Sequence, residues 1–311
     1  MIPVVIGVDL EPDGPGHEPV PGPWPGAGAT HQWLEDQRAG MAGLTGRPAH
    51  FTWFLRIDTG MADAFGSAAH AVDVHPDLVA DVNAQGDELG IHVHGWRRDP
   101  DGSWVDDFGD PGWFHDCVET ALDVFATELG RPCRISRLGN RFLSPAVADQ
   151  LAAAGVVVDL TAEPATVGVA DGDWPQVRGV IPDYRRVPRA PHRLAPGLIE
   201  LPLTASSKRL GASPRAHLSR MRRHGVTQRL DLPMQFGKAA PEDDDFTARV
   251  QRSLRSQRRP YLAFAVRSDG ILDPRQRPRL LSHMAQLLAM PEAPQFAFVT
   301  PSEAVDLLDG G

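Results

Sequence analysis

Short apolar runs recur along the chain with helical patterns between them, and this alternation limits what the chain can fold into. Residues 4–9 (VVIGVD), 51–56 (FTWFLR), 88–94 (ELGIHVH), 133–138 (CRISRL), 156–160 (VVVDL), 198–203 (LIELPL), 261–266 (YLAFAV) and 296–299 (FAFV) read as strands. The intervening segments at 33–44, 76–85, 145–154, 214–224, 244–256 and 277–289 read as helices. So does the segment carrying Val118, Leu122, Phe125 and Leu129 at helical spacing. Thr300 or Ser302 opens a closing helix. Strands that alternate with helices predict an α/β fold built on a largely parallel sheet. A Pro- and Gly-rich loop is expected over 12–29, a polar loop over 97–112 and a long irregular segment over 163–196. No repeat or internal boundary divides the 311 residues, so they are read as one domain with 163–196 as an insertion.

The formal net charge of -9 argues against nucleic acid as a partner, which calls for a basic surface. Two local basic runs, 215–229 and 249–259, read as solvated helix faces, or as a patch for an anionic part of a substrate. The two cysteines, Cys117 and Cys133, are too few for a disulfide framework and are expected to be reduced and packed. The N-terminus lacks a basic leader and enters a strand almost at once, and no run approaches the about 20 apolar residues that span a bilayer. A cytoplasmic protein without a membrane partner is the expectation.

The chemistry concentrates at two strand ends. In IHVHGW, His92 and His94 stand two apart, so in a strand both imidazoles face the same side. Ligand sites in α/β barrels lie at the C-terminal ends of strands. In VVIGVDLEPDG, Asp9 closes the first strand and Glu11 follows, whereas Pro12, Asp13 and Gly14 read as a turn. Either carboxylate can hold a cation while the other accepts a proton. Two histidines and one carboxylate leave metal positions open for water and substrate, which suits hydrolysis of an amide or ester on a divalent metal, zinc foremost.

Further phrases follow in order: FTWFLR at 51–56, the Gly-x-Glu-Leu-Gly-x-His segment at 86–92, SRLGNRF at 136–142, VDLTA at 158–162, IELPLT at 199–204 and FVTPSEA at 298–304. In that order they resemble the polysaccharide (carbohydrate) deacetylase family, the NodB-homology or carbohydrate esterase family four group, over most of the chain. The resemblance implies a distorted (β/α)7 barrel. It implies that Asp9 is the base and Glu11 the acidic metal ligand, with exchangeable roles, that His92 is the first histidine ligand, and that Arg137 orients the base. Three features depart from the family. Asp9-Leu10-Glu11 replaces two adjacent aspartates. Trp96 stands where the second histidine falls, so His94 must serve. Arg267 stands where a late strand delivers a histidine acid. Arginine is a poor proton donor but can stabilise an oxyanion or bind phosphate or carboxylate, and Asp269 can act as an acid only with a raised pKa.

Around this set, Trp53, Trp96, Trp104 and Trp113 are expected near the mouth, where sugars stack, with Asp58 as a polar contact and His115 within reach. His192, His217, His224 and His283 lack ligand spacing and are expected at the surface. The functional expectation is a metal-dependent hydrolase removing an acyl group, N-acetyl foremost, from an amino sugar or sugar-containing metabolite. The substrate is then a small molecule or oligosaccharide carrying an acylated amine. The rivals are an inactive sugar-binding homologue and another metal-dependent amidohydrolase or phosphoesterase.

Overall fold

The computed structural model describes residues 1–13, 23–207, 231–233 and 246–310. The helix expected at 214–224, with His217, His224 and the basic run 215–229, lies outside the described residues. The first strand, β1 (Ile2–Leu10), is buried over its whole length, as a strand covered on both faces must be. It pairs in parallel with β2 (Thr52–Arg56) on one side, in the register Asp9↔Phe54, and β2 pairs with β3 (Glu88–His92) in the register Arg56↔His92.

The short strands β4 (Trp96–Arg98) and β5 (Trp104–Asp107) form an antiparallel hairpin, where the sequence suggested a polar loop. Its turn is the Asp-Pro-Asp-Gly stretch, with Gly102 at φ 87 and its N–H bonded to the Asp99 carbonyl. The main sheet continues through β6 (Ile135–Ser136) and β7 (Val158–Asp159). The 163–196 segment contributes β8 (Val177–Arg178), parallel to β5, and β9 (His192–Ala195). β10 (Leu198–Glu200) is parallel to β7 and antiparallel to β9. β11 (Ala205–Ser207) and β12 (Asp231–Pro233) form a separate pair.

On the other side of β1 lies β13 (Leu262–Arg267), in the parallel register Asp9↔Arg267, and β14 (Phe296–Phe298) runs parallel to the first residues of β1. The path β13-β1-β2-β3-β6-β7-β10 is therefore wholly parallel, with antiparallel β9 at its edge. This sheet curls into the expected barrel-like α/β form. Its ends meet where the Thr204 N–H donates to the Ala263 carbonyl at 2.9 Å and the Ala263 N–H donates to Thr204 Oγ1 at 2.8 Å. Val5, Phe54, Ile135, Val158 and Ala263 belong to one buried apolar cluster, while Val4, Ile6 and Val8 belong to a second, larger one. The alternation along β1 assigns successive side chains to the two sides of the sheet.

The helices are α1 (Pro25–Thr45), α2 (Thr59–Phe65), α3 (His70–Val74), α4 (Pro76–Ala84), α5 (Pro111–Leu129), α6 (Pro145–Ala153), α7 (Phe246–Ser256), α8 (Arg277–Leu288) and α9 (Pro301–Asp309). Local chemistry sets their ends: Asp110 and Ser144 cap α5 and α6, and Thr300 with Glu303 forms a capping box on α9. α1 begins well before residue 33, because Pro25 sits in its first turn, where a missing N–H costs nothing. Among the described residues no helix is long and apolar enough to cross a membrane. Cys117 and Cys133 are both buried and free.

His283 corrects a surface expectation. On α8 it is 6% exposed and stacks on Phe246 of α7, with ring centroids 4.4 Å apart. Burial first, then Arg249 and Arg279, pushes its imidazole from 6.5 down to about 4. The unfolded chain therefore takes up a proton below about pH 6.5 that the folded chain refuses until about pH 4. Stability present above that window falls as pH drops through it, by up to about 3 kcal/mol from this residue. Denaturant titrations from pH 7 to 4.5 should give a flatter profile for His283→Phe than for the parent chain; parallel profiles would refute the assignment.

Candidate functional site

The strand ends deliver the site. Asp9 is the penultimate residue of β1 and Glu11 follows that strand's end, Arg56 closes β2, His92 closes β3, Arg137 follows β6 and Arg267 closes β13. All lie at the C-terminal edge of the parallel sheet, where α/β barrels place their ligands. His94 lies beyond the end of β3, so strand pleating does not aim it. It is aimed instead by partners. Its backbone N–H donates to Asp58 Oδ2 at 3.1 Å, and its Nδ1 lies 2.8 Å from Asp106 Oδ2.

His92 Nδ1 lies 2.7 Å from the carbonyl oxygen of Arg137, which can only accept. That nitrogen therefore carries the proton, and the Asp106 carboxylate fixes the same tautomer on His94. Both Nε2 atoms are then bare lone pairs, and they face each other at 3.2 Å. Glu11 closes the triangle, with Oε1 at 3.3 Å from His92 Nε2 and Oε2 at 3.8 Å from His94 Nε2. Two imidazole lone pairs and a carboxylate pointed at one another repel unless a cation lies among them. Tetrahedral ligands at zinc distances stand about 3.3 Å apart, so the donor set fits a divalent metal. Glu11, His92 and His94 are also the one such group among the described residues, with ligand atoms all within 4.8 Å of one another.

The electrostatics agree. Burial favours the neutral acid at Glu11, but the surrounding positive charge, led by the Arg267 guanidinium, outweighs it and holds the carboxyl well below its usual range. Burial, followed by the Arg56 charge, keeps the His94 imidazole neutral well below its usual pKa. An ionised carboxylate and a neutral imidazole are the forms that bind metal. Burial of Arg137 favours its neutral form, but Asp9 and Glu163 keep the guanidinium charged. Its Nε donates to Asp9 Oδ1 at 2.8 Å and Oδ2 at 3.1 Å, its Nη1 donates to the Leu160 carbonyl at 2.8 Å, and its Nη2 donates to Glu163 at 3.3 Å. Arg267 Nη1 donates to Glu11 Oε2 at 3.1 Å, and its Nε donates to Asp269 at 3.0 Å.

The aromatic expectations need correction. Trp53 and Trp96 are both fully buried and present no face to a sugar. β2 is covered on both sides, so Trp53 packs beneath α1, edge-on to His31. Trp96 lies against His94, its Nε1 3.2 Å from the Nδ1 that Asp106 engages. Asp58 is also fully buried; it caps α2, pairs with Arg56 and holds the His94 backbone, so it supports the site rather than facing substrate. Trp104 and Trp113 are part-exposed but engaged, Trp104 beneath Arg98 and Trp113 with its N–H on the Gly95 carbonyl. His115 is exposed on α5.

Several contributors went unread in the sequence, three of them around His94. Asp106 looks like one acid among several in a polar loop, yet it is buried and accepts from His94, the Gly95 N–H at 2.7 Å and Asn140 Nδ2 at 2.7 Å. Asn140 reaches it from a turn where Asn140 and Arg141 hold left-handed φ of 45 and 62. Such angles are uncommon outside glycine and are held here by the surrounding bonds. Gly139 opens that turn against the His94 ring, where an added Cβ would fall 2.1 Å from Nε2.

No family model matches the chain, and no curated protein matches it in sequence. Solved structures do share its fold. An allantoinase is 12% identical, with 98% of this chain and 89% of that one covered at a TM-score of 0.51. A protein from Pseudomonas aeruginosa designated a probable polysaccharide deacetylase is 11% identical, with 98% and 90% covered at 0.50. A Parabacteroides distasonis protein assigned as a glycoside hydrolase/deacetylase is 11% identical, with 99% and 71% covered at 0.54. The chain thus shares with these structures the α/β barrel fold suggested by the sequence.

Two variants probe the support of His94. Gly139→Ala should displace the ring, and Asp106→Asn should remove the charge that orients it. Each is expected to weaken zinc binding about 10- to 100-fold, read by competition with a chelating dye, with folding retained by circular dichroism. Unchanged affinity in both would remove His94 from the ligand set.

Proposed function

We propose that the protein is a metal-dependent hydrolase that removes an acyl group, acetyl foremost, from the amine of an amino sugar or sugar-containing metabolite. The observation that carries this reading is the triangle of His92 Nε2, His94 Nε2 and Glu11, set beside an Asp9 that Arg137 holds in place. Glu11, His92 and His94 would hold the metal, with zinc favoured by the nitrogen-rich set. A divalent ion there supplies Lewis acidity to an amide carbonyl and to water.

The rest falls to the chain. Asp9 accepts a proton from the attacking water, and Arg137 fixes its orientation with two hydrogen bonds. When the C–N bond breaks, Asp9 returns that proton to the departing amine, since Arg267 keeps its own. Arg267 is the part-exposed member, with 20% of its side chain accessible, and its N–H groups can steady the developing negative oxygen. Glu163 lies within the 163–196 insertion and holds Arg137, which supports reading residues 1–311 as one catalytic domain. Free, buried Cys117 and Cys133 accord with a reducing compartment, and we place the protein in the cytoplasm.

One observation favours the rival, a metal-free sugar-binding homologue: the Arg267 guanidinium already engages Glu11. Metal analysis after zinc loading separates the two. The hydrolase reading expects one zinc per chain, loss of that zinc in His92→Ala, and release of acetate from N-acetylated amino sugars. Asp9→Asn should keep the zinc while kcat/KM falls about 10²- to 10⁴-fold. A chain that takes up no divalent metal would sink the reading.

A further inference from the structure

Two guanidinium groups converge on one oxygen. Arg267, from β13, brings Nη1 to 3.1 Å from Glu11 Oε2, and Arg56, from β2, brings its own Nη1 to 3.8 Å from the same atom. Arg56 is 2% exposed, and its Nε is taken by Asp58. Its Nη2 is buried without a hydrogen-bond acceptor among the described residues. A buried charged donor without an acceptor is costly and calls for an explanation, and a ligand that supplies the acceptor is one. The rest of the pair points the same way. Glu11 is the carboxylate in the candidate metal triangle, and a carboxylate bound to a divalent cation is a weaker acceptor for both guanidinium groups. A divalent ion held there would therefore loosen the Arg267 hydrogen bond and the longer Arg56 ion pair to Glu11, leaving N–H donors on two strands that flank the same spot, one of them reachable from solvent.

We propose that Arg56 and Arg267 form an oxyanion-recognition pair beside the candidate metal triangle, so that the acylated amine the protein acts on carries a carboxylate or phosphate group. That the anion belongs to the acylated amine rests on the hydrolase reading; the anion site itself rests on the two arginines alone. Guanidinium forks match carboxylate and phosphate oxygens in pairs, whereas a neutral sugar hydroxyl offers a weaker, single acceptor. The charge on Asp58 and Asp269 keeps each arginine in place while its remaining donors turn to the ligand.

Calorimetric titration of the zinc-loaded protein with N-acetylglucosamine, N-acetylglucosamine 6-phosphate and N-acetylmuramate compares neutral, phosphate and carboxylate forms. At least one anionic form should bind tenfold or more tightly than the neutral sugar, and the better one names the anion. Arg267→Gln and Arg56→Lys should each cut that preference to less than threefold at unchanged zinc stoichiometry. Equal binding of all three ligands, or a preference that survives both substitutions, overturns the proposal.

A second arm needs no metal. Glu11→Gln removes the competing charge, so inorganic phosphate or acetate should bind the metal-free variant at least tenfold more tightly than the metal-free parent. No gain for either anion also overturns the proposal. Failure of the parent to bind zinc overturns the hydrolase reading instead and leaves the Glu11→Gln arm to decide the anion site.

Discussion

Arg137 is a cation sealed inside the barrel, and the two halves of the site are tied together through it. A guanidinium at 5% exposure is tolerable only with carboxylates against it, and Asp9 and Glu163 supply them from β1 and from the 163–196 insertion. The backbone of the same residue does separate work. Its N–H donates to the Ile91 carbonyl, which locks the residue to β3, and its carbonyl faces His92 Nδ1 and so decides which ring nitrogen is bare. One residue thus sets the orientation of the proposed base and the tautomer of a proposed ligand. Losing its side chain would remove the ion-pair partner that two buried carboxylates share, a larger disturbance than the loss of a single hydrogen bond.

The two imidazoles reach the same point by different means. His92 rides on a strand paired on both sides, and its position follows from sheet register. His94 depends on three other segments: Asp58 after β2, Asp106 on the hairpin, and the tight turn at Gly139 and Asn140. Small adjustments in the hairpin or turn would move His94 while leaving His92 in place.

That contrast explains what could be read from the sequence. The alternation of strands and helices, the strand-end placement of Asp9 and His92, and the pairing of Arg137 with Asp9 all follow from periodicity or from the family resemblance. The contributors that escaped notice are held by long-range contacts. Asp106 sits next to Asp107 in a run that reads as turn chemistry, and only the fold distinguishes the one that meets His94. Arg56 looks like the polar end of an apolar strand, although it is almost wholly buried. Trp53 and Trp96 mislead for the opposite reason: proximity in sequence to site residues says nothing about which layer a side chain enters, and both enter packed layers. His283 lacks any motif, and its burial follows from stacking against Phe246 on a different helix.

The contact between Arg267 and Glu11 can be read as a salt bridge that has replaced a metal, but the partners of each group argue for exchange. Arg267 has Asp269 as a second carboxylate, and Arg56 has Asp58. Neither loses its counter-charge when Glu11 turns away. Glu11 has two cations and two imidazoles around it, and its backbone is held from both sides by the Ser268 hydroxyl, which accepts from the Glu11 N–H and lies 3.1 Å from the Glu11 carbonyl. The carboxylate is therefore anchored at its base while the two arginines are independently compensated. The two bare Nε2 atoms, by contrast, have no proton to share between them once both Nδ1 positions are taken. Of the groups in the cluster, these nitrogens have the most to gain from a cation, and Glu11 is the carboxylate that can turn toward it at least cost.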